Sequence, residues 1–299
     1  MPAGPANGTT TVVIATKSRA DRLRTLLEAL RDEDVVVAAD GATPEVHAVL
    51  AEYDVRVVRL DPGRGPAAAR NAGWRAASGA DYVAFTDDDC VPAAGWVAAL
   101  SAVAAPDAAV QGRVAPLPAE RDRMGPFART LAVDGAGPFF QTANMLYPRA
   151  VLERLGGFDE AYAFPAGEDT DLGWRARAVG VQIRFAHDAL VWHAVHALGW
   201  RGMVRDAPRW GSAVGMVKRH PGLRAHFHHR VFWKPSHERL LLALAVRRPW
   251  ALVPWLLVHQ HEHASRAALL RALPAHLAVD AAEVLALARG SAQARTLLL

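Results

Sequence analysis

A single cysteine, Cys90, stands in a chain of 299 residues, so no disulfide framework holds this protein together. Without a second thiol a structural zinc site built on thiolates is excluded too, and the composition suits a reducing compartment. Long apolar runs are missing: 240–246 is broken by Arg247-Arg248-Pro249 before 250–258 resumes, and neither piece approaches the roughly 20 residues of a spanning helix. The first ten residues, MPAGPANGTT, have neither a basic n-region nor an apolar h-region, which predicts a flexible tail, no export signal and a cytoplasmic protein. Charge of one sign is scarce as well. Against 34 basic residues stand 30 acidic ones, a net +4 with no dense basic stripe or reading motif, so nucleic acid is not an expected partner.

What is present is enough apolar material for a sizeable core: 52% hydrophobic and 21% charged residues exclude disorder and fibrous repeats. Residues 11–15 (TVVIA) form a β-branched run suited to a strand buried on both faces. Leu23, Leu26, Leu27 and Leu30 then fall on one helical face, with Ser18 and Asp21 as a capping signal. Further strands are predicted at 35–38, 55–60, 81–85 and 181–186, with a helix of small residues over 67–77. Strands alternating with helices predict an α/β domain with a mainly parallel sheet.

Histidine is plentiful, and His226, His228, His229, His237, His259, His261 and His263 crowd into the last third. Their sequence spacing makes no compact metal set, so most are expected on the surface or at interfaces, gaining charge below about pH 6.5. From residue 236 the texture becomes Leu/Ala-rich helix. Trp250 and Trp255, flanked by Arg247 and Arg248, suit either a membrane interface or packing on the preceding domain or on another subunit. The stretch 267–288 reads as an amphipathic helix stopped by Gly290.

Ligands of parallel sheets bind beyond the carboxyl ends of the strands, and three such ends are polar: Thr16-Lys17-Ser18-Arg19, Asp40-Gly41 and Thr86-Asp87-Asp88-Asp89. Three consecutive carboxylates repel one another unless a cation or hydrogen-bond donors offset them, which suggests a divalent metal held by oxygen ligands and a phosphate-bearing substrate. A plainer reading makes these aspartates the cap of a helix starting near Pro92. Gly63-Arg64-Gly65-Pro66 leads into another helix start, where free N–H groups and Arg64 or Arg70 could face a diphosphate. Arg70 equally suits a buried partner for a strand-end carboxylate. Asp171 and Arg175, at i and i+4, read as a surface ion pair.

Taken in order, VVIATKSRADRL (12–23), ADGAT (39–43), GRGPAAARNAGWRAA (63–77), VAFTDDDCVPAAGW (83–96), QTANMLYPRAVLERLGGFDEAY (141–162), GEDTDLGWRARAVG (167–180) and VWHAVH (191–196) resemble the family 2 glycosyltransferases of GT-A fold. The resemblance implies inverting transfer from a nucleotide-diphospho-sugar, with Mn²⁺ or Mg²⁺ as cofactor. It implies a DxD motif at 87–89, with Asp89 on the metal, Asp87 on the donor ribose and Asp88 within the nucleotide site. Asp40 matches the acid that meets the base, although Ala39 stands where the family has a second acid, and Thr16 edges the nucleotide through its backbone. Glu168 and Asp169 match the ED motif, in which the aspartate is the general base. His193, with His196 as substitute, falls where relatives place a histidine near the metal or diphosphate, and Asn144 lies in the stretch lining the acceptor side, although its amide could equally satisfy backbone groups locally.

The expected protein is therefore an inverting enzyme moving a sugar to a hydroxyl on a glycan, lipid-linked or small-molecule acceptor. A nucleotidyltransferase on a related sheet and a non-catalytic nucleotide-sugar-binding scaffold are the alternatives. The expected organisation is a tail at 1–10, a GT-A domain at 11–235 and a helical region at 236–299 that contacts the inner face of the cell membrane or pairs two subunits.

Overall fold

A computed structural model describes residues 8–162 and 166–299. Most of the predicted tail, residues 1–7, lies outside them; by Thr9 the chain is already tied down, its N–H donating to Asp81 Oδ2 at 2.8 Å. Two compact units form, one from residues up to Arg121 together with Thr130–Ala194, the other from Asp122–Arg129 and Val195–Leu299. The division thus falls before residue 195 rather than at the change of texture near residue 236.

The first unit is built on β1 (Thr10–Thr16), α1 (Ala20–Ala29), β2 (Val35–Asp40), α2 (Pro44–Leu50), β3 (Arg56–Leu60), α3 (Pro66–Ala76) and β4 (Tyr82–Asp87). It continues with β5 (Cys90–Pro92), α4 (Trp96–Ser101), β6 (Ala108–Pro116), β7 (Met145–Pro148), α5 (Arg149–Leu155), α6 (Glu168–Ala178) and β8 (Gln182–His193). The strands form one sheet in the order β3-β2-β1-β4-β7-β6-β8-β5. The half from β3 to β4 is parallel, as expected; beyond it β7 runs antiparallel to β4 and to β6, and β5 antiparallel to β8. Successive side chains of a strand face opposite ways. Val12 and Ile14 accordingly join Leu23, Leu26, Val46 and Trp96 in one core layer, while Val13 joins Trp74, Val83, Phe85 and Leu172 in the other. Gly73 lets α3 lie close on β1, since a Cβ there would stand 2.4 Å from Val13 Cγ1.

Local details depart from the sequence reading. Arg19, not Ser18, caps α1, through its backbone and without a side-chain bond. The aspartates after β4 lead into β5 rather than a helix, and α4 starts at Trp96 behind a left-handed Gly95, so their reading as a helix cap is excluded. Asp171 is fully buried and accepts from Arg175 Nε at 2.7 Å, while Arg175 also donates to the carbonyls of Leu155 and Gly157. That pair is an internal brace, not a surface contact.

The second unit comprises α7 (Gly199–Asp206), α8 (Arg209–Arg219), α9 (Pro235–Val246), α10 (Val253–His259) and α11 (Arg266–Ala294), with short 3-10 turns between them. The expected stop at Gly290 does not occur. A Cβ at Gly290 would lie 2.2 Å from the Gly211 carbonyl oxygen, so this glycine permits α8 and α11 to cross backbone to backbone, and α11 continues to a left-handed Arg295. Trp250 is 68% exposed, but Trp255 is buried and donates to Asp280 Oδ2. Of the histidines expected mostly at the surface, His226, His229 and His261 are exposed and His228 and His263 half-buried, while His237 and His259 are buried. No described helix is long and apolar enough to cross a membrane.

Candidate active site

The chain runs outward from β1 through β2 to β3 and then returns to the other side of β1 with β4, which makes the β1/β4 boundary a topological switch point. Ligands of open α/β sheets bind in the crevice beyond the strand ends at such a point. Thr16 closes β1, Asp40 closes β2 and Asp87 closes β4, so the three polar ends foreseen from the sequence share one edge of the sheet.

The three consecutive aspartates differ in their partners. Asp87, the most accessible, accepts from Arg70 Nη2 at 2.8 Å. Asp88 is buried, accepting from Thr16 Oγ1 at 2.8 Å and Arg19 Nη1 at 2.5 Å. Burial pushes its carboxyl up and Arg19 pulls it back. Both oxygens thus serve the protein, which removes Asp88 from the expected nucleotide contacts and makes it the anchor of the β1 loop. The Thr16 hydroxyl is spent on the same bond. Asp89 is buried with its carboxylate 3.6 Å from His193 Nε2 and 3.5 Å from Arg19 Nη1.

The meeting of Asp89 and His193 follows from strand pairing. β5 pairs antiparallel with β8 so that Cys90 stands opposite His193. His193 Nδ1 lies 2.8 Å from the Ala194 carbonyl, which can only accept, so Nδ1 carries the proton and Nε2 presents a lone pair toward the carboxylate. Two acceptors facing one another suit a cation between them, and a buried imidazole fixed through its other nitrogen is a usual second-shell arrangement. Cys90 lies beside them, but burial pushes its thiol well up, so it offers no thiolate. The donor set therefore fits a hard or borderline divalent ion held by Asp89 and His193. His196 lies beyond β8 in the second unit, its backbone paired with Arg129.

The two candidate arginines differ sharply. Arg70 is buried and bridges Asp87 Oδ1 and Glu168 Oε1, each at 2.8 Å. It is a clamp between carboxylates and not a cation open to a diphosphate, so the partner reading of its sequence context is the correct one. Arg64 is 63% exposed and pairs with Glu160, a contact that costs little to give up to a stronger anion. The backbone N–H groups of Arg64 and Gly65, expected to be free, donate to Asp40 Oδ1 and Oδ2 at 2.6 and 2.9 Å. Asp40 thereby pins the loop before α3 to the end of β2.

Glu168 and Asp169 open α6 behind a left-handed Gly167. Glu168 is buried on Arg70, with its Oε2 unpaired among the described residues. Asp169 is partly exposed and accepts from the Thr170 N–H at 2.7 Å. Burial of the carboxyl and then the charge of Glu168 push Asp169 up to about 8, against the pull of Arg70. A carboxyl with a pKa near neutrality is suited to exchange protons with a substrate.

Asn144 does not line an open surface. It is fully buried, donating to the carbonyls of Arg113 and Ala189 at 2.8 Å each and accepting from Trp96 Nε1 at 2.9 Å. Its amide is fully used within the fold, which overturns the acceptor contact. We expect Asn144→Ala to destabilise the protein by on the order of 3 kcal/mol through the polar groups it strands. Urea denaturation checks this, and an unchanged midpoint with a raised acceptor KM would restore the acceptor role. Arg19 is the residue that the sequence reading named without assigning: partly open to solvent, it pairs with Asp88 and Asp89, and the charges of the three aspartates outweigh its desolvation and raise its pKa. The demand of a carboxylate triplet for a cation, applied to the neighbouring strand-end loop, would have singled it out.

A sheet flanked by helices, with carboxylates at the switch point, defines this unit as a GT-A fold. The same fold is found in GalNAc-T7, determined with UDP, GalNAc and Mn²⁺ (TM-score 0.51, 16% identity, covering 63% of this chain and 43% of that one). It is found also in Staphylococcus aureus TarS 1-349 (TM-score 0.50, 16% identity, covering 95% and 91%). The sequence matches glycosyl transferase family 2 over residues 11–156 and glycosyl transferase family group 2 over residues 120–270. The chain belongs to glycosyltransferase family 2. Among its relatives, the pre-mycofactocin glycosyltransferase of Mycobacterium tuberculosis is 33% identical over 238 residues, 74% of this chain and 50% of that protein. The validoxylamine A glucosyltransferase of Streptomyces hygroscopicus subsp. jinggangensis is 31% identical over 285 residues, 79% and 66% respectively. The chain thus spans half the length of the first and somewhat under two thirds of the second.

Proposed function

We propose that this chain is an inverting glycosyltransferase that moves a sugar from a nucleoside-diphosphate donor to a hydroxyl acceptor, with Asp169 as general base. The observation that carries the reading is the buried Arg70, which ties the carboxylate at the end of β4 to the acidic start of α6 and so holds donor-side and base-side groups in one site. In the reaction Asp169 accepts the proton of the acceptor hydroxyl as its oxygen attacks the anomeric carbon. The bond from that carbon to the donor diphosphate breaks on the opposite face, inverting the centre. No protein nucleophile is required, and the base alone accounts for about 10²–10⁴-fold. Arg64 exchanges Glu160 for the donor diphosphate, while Arg19 holds the β1 loop and Asp88 in place. Asp89 and His193 would hold a divalent ion, which when bound supplies charge stabilisation to the departing diphosphate.

The cheapest test is a thermal shift of the full chain with UDP, dTDP or GDP, each with and without Mn²⁺, in wild type and Asp89→Ala. UDP and Mn²⁺ lead the series because GalNAc-T7 was determined with them. A nucleotide at about 100 times its Kd adds roughly 2.7 kcal/mol, a clear rise in midpoint. We expect one nucleotide to stabilise only with metal, and the variant to lose the effect. Stabilisation without sugar transfer to any acceptor would favour the scaffold reading, and no shift at all would remove the metal from Asp89.

The second unit supports a membrane location. Leu242, Leu244, Val246, Trp250, Val253 and Leu257 are exposed along α9, the following turn and α10, and Arg247 and Arg248 stand exposed among them. Apolar side chains interleaved with arginines match an anionic lipid surface. The full chain is expected to float with vesicles containing phosphatidylserine and to lose this with Trp250→Ser and Leu244→Ser together. Vesicle-independent dimerisation abolished by the same changes would assign the face to a second subunit instead.

A further inference from the structure

Three sets of histidines and carboxylates come together among the described residues of the second unit. Two are already closed by short direct hydrogen bonds, whereas the third is more open. Glu238 gives one oxygen to His228 Nε2 at 2.7 Å and the other to His229 Nδ1 at 2.8 Å. Glu283 meets His237 and also the ammonium of Lys234 at 2.6 Å, so a cation is in place. The third set is different. His259 ends α10, Glu262 belongs to the 3-10 turn Gln260–Glu262, and His276 comes from α11. Among the described residues no lysine or arginine pairs with Glu262.

Both imidazoles of this set turn Nδ1 toward the one carboxylate: His259 Nδ1 lies 3.3 Å from Glu262 Oε1 and His276 Nδ1 lies 3.9 Å from Oε2. Both have the outer nitrogen engaged elsewhere. His259 Nε2 stands 3.1 Å from Asp280 Oδ2, an acceptor, so that nitrogen carries the proton; against its burial, the hydrogen bonds to Asp280 and Glu262 push the ring up to about 9, and an ion taken at Nδ1 displaces the proton that otherwise faces Glu262. Asp280 is itself fixed by Trp255 Nε1 at 2.8 Å and Ser236 Oγ at 3.2 Å. His276 Nε2 stands 2.8 Å from His263 Nε2, a bond in which one ring N–H donates to the other. A ligating histidine is normally oriented by a hydrogen bond from its other nitrogen to a carboxylate or another acceptor; His259 has that support in Asp280, and His276 has it in the tautomer whose Nε2–H donates to His263.

We propose that His259 Nδ1, the Glu262 carboxylate and His276 Nδ1 form a divalent-cation site of the zinc class, with water completing the tetrahedron. The chemistry suits it: two imidazoles and a carboxylate are borderline ligands that select zinc over magnesium or calcium. The size suits it too. Ligand bonds of about 2.0–2.2 Å put tetrahedral ligand atoms roughly 3.3–3.5 Å apart, and the three ligand atoms here lie within 4.8 Å of one another with the shortest pair at 3.3 Å. His259 and His276 are buried with their rings stacked, centroids 4.1 Å apart and planes at 29°, so a turn of one ring brings both Nδ1 atoms onto an ion, whereas Glu262 is 40% exposed and can close on an ion arriving from solvent. The ion would brace the turn after α10 against α11. The site is separate from Asp89 and His193 and does not depend on the proposed transfer reaction.

Zinc equilibrium dialysis of the full chain tests the proposal, with Asp89→Ala as background so that the first unit contributes no carboxylate from β4. The protein is expected to retain about one equivalent of zinc, and zinc alone is expected to raise the melting temperature. Glu262→Ala and His276→Gln, each in that background, are expected to weaken zinc at least tenfold, with far-ultraviolet circular dichroism checking that they fold. Because Glu262 is largely at the surface, its variant tests the site even if His276→Gln does not fold. Zinc retained at full affinity by Glu262→Ala, or no zinc bound at micromolar concentrations by the background protein, overturns the site.

Discussion

Asp169→Asn is expected to lower kcat by about 10²–10⁴-fold while leaving donor affinity within a few-fold of wild type. The amide keeps the size and the hydrogen bond from the Thr170 N–H but has no basic oxygen for the acceptor proton. The loss should therefore appear in turnover and not in nucleotide-induced stabilisation, as befits an interaction made in the transition state. The pH profile supplies an independent sign. Burial and the charge of Glu168 hold the Asp169 carboxyl up to about 8, and a general base works only when ionised. Wild-type kcat/KM should rise with pH through that region and fall off on the acid side, and the residual activity of Asp169→Asn should lack this limb. Single-turnover rates with saturating donor separate the chemical step from release. A variant that turned over within a few-fold of wild type would dismiss Asp169 as the base.

Arg70→Met should be the most damaging single change to the fold of the first unit, costing about 3–5 kcal/mol. The guanidinium offsets two carboxylates at once, Asp87 at the end of β4 and Glu168 at the start of α6, and Glu168 is almost wholly buried. Removing the cation leaves a buried charge with no partner, which is costlier than never having built the bridge. Arg70→Lys should recover only part of the loss, since one ammonium lacks the two-pronged geometry that reaches both acids. Denaturant titration at neutral pH measures the difference. Where the variant stays folded, its acid limb in kcat/KM should move to higher pH, because Arg70 is the charge that pulls Asp169 down. Stability within about 1 kcal/mol of wild type would show that the bridge contributes little.

How far the site could be read in advance depended on how local each signal was. The strand-end carboxylates were visible because a β-branched run followed by acids announces itself within a few residues, and Thr16, Asp40 and Asp87 do close β1, β2 and β4. The two arginines of the loop and helix after β3 looked alike in sequence. Burial alone distinguishes them, putting Arg70 between acids and leaving Arg64 exposed on Glu160. Asn144 was misread for the same reason: an amide near an expected acceptor groove and an amide closing three internal hydrogen bonds have the same letter. Gly290 read as a helix stop because a glycine near the end of an apolar pattern usually is one, yet here it is the contact point of two helices.

By itself the sequence determined the α/β alternation, the acidic end of the fourth strand at Asp87–Asp89, and the absence of disulfides, whereas the roles expected of Asp87–Asp89 and Glu168–Asp169 came from the family resemblance. The first two rest on periodicity and on residue types adjacent in the chain, which local sterics and burial translate directly into strands, helices and acidic strand ends. Tertiary structure alone decided which charge meets which. Arg70 and Glu168 are 98 residues apart. His193 reaches Asp89 only through the pairing of β5 with β8. Such partners are chosen by sheet order and by the cost of leaving a buried charge unpaired, and that cost is set only when the whole chain has folded around it.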